Sequence, residues 1–179
     1  MREMATLQIA HTAELDQDIR DQIRALLWNV FDDMEEFDYE HALGGTHALA
    51  WDGADLVGHA SLVLRGLSHG DRTLRTGYVE AVAVRADYQR QGIGAAVMAP
   101  LEQYIHAAYE LGALGTTDEG MPFYLARGWQ PWRGELFALT PDGIVATPDE
   151  HGSVYVLPST APLDLDGTLT ADWRDGDVW

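Results

Sequence analysis

The sequence predicts a single α/β (α+β) domain, residues 1–179, built on a mixed central β-sheet flanked by helices. Three observations carry that expectation. Apolar alternation and helical spacing follow one another as strand, helix, two long strands, a third strand, helix, strand, short helix and further strands. The third of those strands, Tyr78-Val79-Glu80-Ala81-Val82-Ala83-Val84, is followed by Gln89-Arg90-Gln91-Gly92-Ile93-Gly94, a glycine-rich turn that opens a helix. Finally, 179 residues with 46% hydrophobic content are enough for one well-buried core and short for two.

Each element has a local reason. Residues 6–10 form a short strand, and Asp16 to Phe31 carries Ile19, Ile23, Leu26, Leu27 and Val30 at the spacing of one helical face. Thr46 to Trp51 and Leu56 to Leu67 read as strands, with Ser68, His69, Gly70 and Asp71 turning the chain towards the motif strand. Ala95 to Leu111 is the long helix and Leu111 to Gly115 a short strand; Pro122 to Arg127 is a short helix entered at proline and stopped by Gly128. Trp129 to Leu139 and Val154 to Leu157 supply the last strands, and Pro141-Asp142-Gly143 is a turn by its chemistry. The tail from Pro158 is expected to pack, because Trp173, Val178 and Trp179 would be costly to expose.

The glycine-rich turn points to a phosphate-bearing cofactor. Gly92 and Gly94 lack Cβ atoms, so an anion can approach the main chain, and the positive end of the following helix favours negative charge. Arg90 adds a cation beside it. Two other phosphate loops do not fit. A dinucleotide fingerprint needs a third small residue where Val97 stands and has no room for the polar stretch Arg85 to Gln91, and a P-loop needs Gly-Lys-Ser/Thr, which is absent.

Composition narrows the partner. Twenty-nine acidic against eleven basic residues give a net charge of −18, a field that repels nucleic acid and anionic lipid. Either a cationic partner or simply an acidic, salt-adapted surface accounts for it. Asp32, Asp33, Glu35, Glu36, Asp38 and Glu40 form one acidic cluster, and Asp164, Asp166, Asp172, Asp175 and Asp177 form another. No run is long and apolar enough for a membrane span and the N-terminus lacks a leader pattern, so a cytoplasmic location is expected. The absence of cysteine excludes thiol nucleophiles and disulfides. Seven histidines without ligand spacing and no G-x-S-x-G elbow leave metal and serine-hydrolase chemistry unsupported.

Within the motif strand, alternation places Tyr78, Glu80, Val82 and Val84 on one face and Val79, Ala81 and Ala83 on the other. Glu80 is the ionisable carboxylate of an apolar run, so a cation must compensate it: a substrate ammonium, or an arginine such as Arg75.

Gln89, Gly92 and Gly94 occupy the fixed places of the Gln/Arg-x-x-Gly-x-Gly/Ala acyl-CoA motif, and the turn resembles that of the GNAT N-acetyltransferase superfamily. The resemblance implies a V-split sheet and acetyl-CoA as cosubstrate. Main-chain groups of Val82, Ala83 and Val84 would hold the thioester arm, and Gln89, Arg90, Gln91, Gly92, Ile93 and Gly94 the pyrophosphate. Tyr124, ahead of Gly128-Trp129, is similar to the superfamily tyrosine that faces the CoA sulfur. A phenol near pKa 10 is a poorer acid than a thiol near 8.5, so a hydrogen bond to developing thiolate is the natural role. A glutamate carboxylate, with a reference pKa of about 4.3, is too weak to strip an alkylammonium outright, so Glu80 would work through a water.

The resemblance extends to one family, the aminoglycoside 2′-N-acetyltransferases. It rests on Glu40-His41-Ala42-Leu43-Gly44-Gly45-Thr46-His47, Gly77-Tyr78-Val79-Glu80, Tyr109-Glu110-Leu111-Gly112-Ala113-Leu114 and Asp172-Trp173-Arg174-Asp175-Gly176-Asp177-Val178-Trp179. It implies a homodimer, and a drug site of Asp33, Glu80 with the Ala81 backbone, the Gly115 backbone, Asp149, Glu150, Asp177 and Trp179 through its terminal carboxylate. Gly115 stands where some relatives carry serine. Carboxylates at amine spacing independently suit a polyamine. Acetylation of another cationic metabolite, or sequestration without catalysis, remains open at this point.

Overall fold

The computed structural model describes residues 5–179. They fall into two compact units, residues up to Val63 with Val79–Gln103, and Leu64–Tyr78 with Tyr104–Trp179.

In the first unit, β1 (Thr6–His11) pairs antiparallel with β2 (Thr46–Asp52), from Thr6 opposite Trp51 to His11 opposite Thr46. Strand β2 pairs antiparallel with the first part of β3 (Asp55–His69), and the last part of β4 (Arg72–Val84) completes this unit's strands. Helix α1 (Gln17–Val30) starts where Asp16 accepts the Ile19 N–H at 2.9 Å. Its Ile23, Leu26 and Leu27 bury against Ala10, Leu15, Leu49, Leu56 and Ala83, each such side chain contributing about 1.5–3 kcal/mol. The first acidic cluster contains helix α2 (Glu36–His41). Acids in its first turn suit the helix dipole, and Tyr39 anchors it in the core.

Helix α3 (Ile93–Ala108) begins inside the glycine motif and ends before the expected Leu111. Pro100 lies within it and removes one helical N–H.

In the second unit, β5 (Leu111–Gly115) runs parallel to β4, from Thr76 opposite Leu111 to Tyr78 opposite Ala113. The register stops there although β4 continues to Val84. Short helix α4 (Met121–Ala126) starts with proline in its first turn, as expected. The stretch Trp129 to Leu139, expected as one strand, is broken into β6 (Gln130–Pro131) and β7 (Leu136–Thr140). Between them Trp132 turns inward, 1% exposed, and donates its indole N–H to Gly167 O at 3.0 Å. The Pro141 turn joins β7 to an unexpected edge strand, β8 (Gly143–Ala146). Strand β9 (Val154–Pro158) pairs antiparallel with β5 and β6. Strand β10 (Leu169–Ala171), also unexpected, lies between β3 and β7, parallel to the latter. The complete order, β6-β9-β5-β4-β3-β10-β7-β8 with β1 and β2 off β3, is mixed as expected.

The tail packs through Leu169, Ala171 and Trp179, whereas Trp173 is 47% exposed against expectation. The tail's strand anchors it at Leu169 and Ala171, so burial of Trp173 is not needed to hold it.

Candidate active site

Two groups of functional side chains are built, one in each unit. In the first, Gln89, Arg90, Gln91 and Gly92 form an exposed turn ahead of α3, with Arg90 at φ 60° and Gly92 at φ 82°. The first helical bond here joins Ala96 N–H to Gly92 O at 3.0 Å, so the N–H groups of Ile93, Gly94 and Ala95 precede the intrahelical ladder. Left-handed residues flanking a helix start give the concave array of N–H groups that suits a pyrophosphate. Gln89 donates its side-chain amide to Val84 O and Gln91 to Asp87 O, which hold the turn from within.

Beneath it, Gly58 of β3 lets Ile93 and Val97 lie directly on the strand: a Cβ there would sit 2.4 Å from Ile93 Cγ2. Gly58→Ala is therefore expected to lift the α3 start and, if the turn holds acetyl-CoA as the resemblance implies, to raise the KM for that cosubstrate several-fold while leaving the KM for the other substrate within experimental error, measurable in steady-state kinetics.

Glu80 is half-buried on β4, as are Val82 and Val84, while Ala83 is buried in the core. Arg75, considered as a partner for Glu80, gives its guanidinium to Ala108 O and its main-chain N–H to Glu110. Strict alternation along the strand is interrupted at Ala81, which takes φ 51°. A left-handed residue with a Cβ costs roughly 1–2 kcal/mol. Something must hold it.

The hold comes from inside. His59 Nδ1 lies 2.7 Å from Ala81 O, His59 Nε2 lies 2.9 Å from His47 Nδ1, and His47 Nε2 lies 2.7 Å from Thr12 Oγ1. Both imidazoles are 0% exposed. Burial lowers His47 to about 3, helped by the neighbouring His59, and burial lowers His59 to about 4 against the opposing hydrogen bond to Ala81.

This fixes a sign for acid stability. The unfolded chain takes up these protons near pH 6.5 and the native chain only near 4 and then 3, so stability is full above pH 6.5 and falls as pH drops towards 4. The slope approaches about 1.4 kcal/mol per pH unit for each imidazole. The carboxylates held low by arginine or N–H partners, Glu36, Glu110 and Asp166, lose their contribution only below the usual carboxylate range. Melting curves between pH 7 and 5 check this, and a flat profile would contradict it.

In the second unit, Asp149, Glu150, Asp177 and Trp179 line one cavity of about 320 Å³ together with Thr147. Four of the drug-site residues expected from the resemblance are thus brought together. The Trp179 indole N–H donates to Thr147 Oγ1 at 2.9 Å, its main-chain N–H to Asp177 Oδ1 at 3.2 Å, and Ser153 Oγ donates to Glu150 Oε2 at 2.9 Å. Gly115 faces Trp179: a Cβ at Gly115 would be 3.5 Å from the Trp179 carbonyl carbon. The C-terminal acids do not all converge, since Asp166 pairs with Arg133 and Asp172 with Arg65. Asp33 lies on an exposed turn of the first unit.

Arg65, 4% exposed, pins the tail. Its Nε donates to Asp172 Oδ1 at 2.8 Å, one terminal nitrogen to Val178 O at 2.7 Å and the other to Asp172 O at 2.9 Å. Its guanidinium stacks 4.6 Å over the Tyr78 ring, which Arg174 also approaches at 5.3 Å. Tyr124 is buried on α4, edge-on to Phe123 and Trp129.

The acetyltransferase (GNAT) family matches residues 12–129. An aminoglycoside 2′-N-acetyltransferase from Mycolicibacterium fortuitum is 45% identical over 179 residues, covering 97% of this chain and 92% of that protein. This chain belongs to the GNAT acetyltransferase family. Two solved structures share the fold of this GNAT protein. A GNAT family N-acetyltransferase from Escherichia coli, in complex with CoA, has a TM-score of 0.65 at 15% identity, with 94% of this chain and 89% of that one covered. The GCN5-related N-acetyltransferase from Kribbella flavida has a TM-score of 0.59 at 15% identity; 74% of this chain is covered, and it spans only 34% of that protein. GNAT enzymes draw their acetyl group from acetyl-CoA.

Sequence reasoning missed Gly58, Arg65 and the Thr12, His47, His59 chain. The first two left a signal: a glycine inside the buried run Leu56 to Ala60, and an arginine in an apolar strand.

Proposed function

We propose that this GNAT protein transfers acetyl from acetyl-CoA to the 2′-amine of aminoglycoside antibiotics and so confers resistance. The observation that carries the reading is the 45% identity, over nearly the whole chain, to a protein of that name. The carboxylates of Asp149, Glu150 and Asp177 around one cavity support it, because a polycationic sugar is held by charge-assisted hydrogen bonds.

The roles follow from chemistry. Acetyl-CoA supplies the acetyl group as a thioester. The N–H groups of Gln91 to Gly94 bind its pyrophosphate with Gln89 and Arg90, and the main chain of Val82, Ala83 and Val84 holds its arm. Glu80 receives the ammonium and, through a water, takes the proton the amine must lose before its nitrogen bonds the acyl carbon. Tyr124 donates a hydrogen bond to the sulfur as the C–S bond breaks. Asp33, Ala81, Gly115, Asp149, Glu150, Asp177 and Trp179 orient the drug. Residues 1–179 are read as one catalytic domain, since β3, β4 and α3 each contribute to both units. The family resemblance supports a homodimer, which light scattering on the purified protein checks, and the sequence reading adds a cytoplasmic location.

Incubation with acetyl-CoA and paired drugs, one with a 2′-amine and one with a 2′-hydroxyl, tests the reading. Acetylation of the first alone, with the modified nitrogen located by NMR, is expected. Equal turnover removes the positional assignment, and binding without turnover indicates sequestration.

A further inference from the structure

The two ends of the buried chain set its direction. Ala81 O can only accept, so His59 carries its proton on Nδ1, and a neutral His59 then offers a bare Nε2. His47 Nδ1, 2.9 Å away, must donate to it, which leaves His47 Nε2 bare in turn. Thr12 Oγ1 therefore donates to His47 at 2.7 Å, and itself accepts from Gly44 N–H at 2.9 Å. The alternative, Thr12 donating to Gly45 O at 3.3 Å, would set two bare nitrogens against each other between the histidines. Every proton points towards Ala81. That residue is one of two non-glycine residues at positive φ among those described, and it directly follows Glu80.

We propose that Thr12, His47 and His59 are positioning residues for acetyl transfer: their one-way hydrogen-bond chain locks the Ala81 peptide in its left-handed turn and thereby aims the Glu80 carboxylate at the incoming amine. The proposal rests on the reading of Glu80 given above. A strand residue relaxing from φ 51° to the extended region would swing the preceding carboxylate, and displacements of about 1 Å at a reacting group cost on the order of 10²-fold in rate.

Steady-state kinetics on His59→Phe and His59→Gln tests it. Phenylalanine keeps the ring and removes the donor, and kcat should fall about 10²-fold with the KM for acetyl-CoA little changed. Glutamine presents an N–H to Ala81 O and a carbonyl to His47, and should restore most of the loss. Ala81→Gly in the His59→Phe background should also recover part of it, since glycine holds the left-handed turn unaided. Should His59→Phe fail to fold, Thr12→Val cuts the chain at its far end and should lower kcat in the same sense.

Nitrogen-15 NMR of the wild-type imidazoles gives a readout independent of activity. Both rings should carry their proton on Nδ1 at neutral pH, and an Nε2-protonated form of either overturns the chain. Equal losses in the Phe and Gln variants would reduce the role to packing. A full-rate Glu80→Gln enzyme overturns the underlying reading, whereas an impaired Glu80→Gln beside a full-rate His59→Phe overturns this proposal alone.

Discussion

Replacing Glu80 with glutamine should lower kcat/KM for a 2′-amine drug by about 10²–10⁴-fold, the range over which a positioned general base acts. Glutamine fills the same space on β4, so the fold and the grip on acetyl-CoA should persist. On the proposed mechanism, what disappears is the charge that would hold an ammonium and pass its proton outward. The loss should narrow as pH rises, because free amine then accumulates without help from the protein. Release of CoA thiol can be followed with a chromogenic thiol reagent, and the chain's lack of cysteine removes the protein's own background. A variant that still protects against drug at the wild-type level would leave binding alone as the mechanism.

Arg65→Met should be the most damaging substitution away from the reacting groups. Three acceptors on the tail, two of them main-chain carbonyls, lose their donor together, and Tyr78 loses the cation stacked on its ring. Removing one partner of a fully buried pair costs 3–5 kcal/mol, and Asp172, whose side chain is 42% exposed, regains some water, so about 3 kcal/mol is expected. For a chain of this size that lowers Tm by about 6–12 °C. Because the tail carries Asp177 and Trp179, the KM for the amine should rise while that for acetyl-CoA stays near wild type. Lysine should not substitute, since a point charge cannot reach three acceptors at the angles a guanidinium fork spans. Calorimetry with steady-state kinetics separates the two effects.

The glycine turn was legible because strand alternation, intervening polar residues and the helix start all have sequence signatures of their own. Glu80 stood out as a charge among apolar neighbours. By contrast, the convergence of Asp149 and Glu150 with Asp177 and Trp179 followed from resemblance, because nothing local ties a three-residue turn to a distant tail. Ala81 gave no warning, since alanine has no preference for positive φ. His47 and His59 become neighbours only through the β2–β3 register, which sets His47 opposite Ser61 and Leu49 opposite His59. Strand β8 was missed because all four of its residues are exposed and no periodicity marks them, and β10 because three residues carry too short a pattern.

Gly115 leaves room for a side chain. A Cβ there would meet the Trp179 carbonyl oxygen at 3.6 Å and the Tyr78 hydroxyl at 3.8 Å, ordinary van der Waals distances that require no neighbour to move. Serine at this position would therefore place a hydroxyl beside Trp179 with no displacement of the surrounding main chain. If the proposed drug site is right, that hydroxyl would tune the substrate range without loosening the frame that keeps the protein folded.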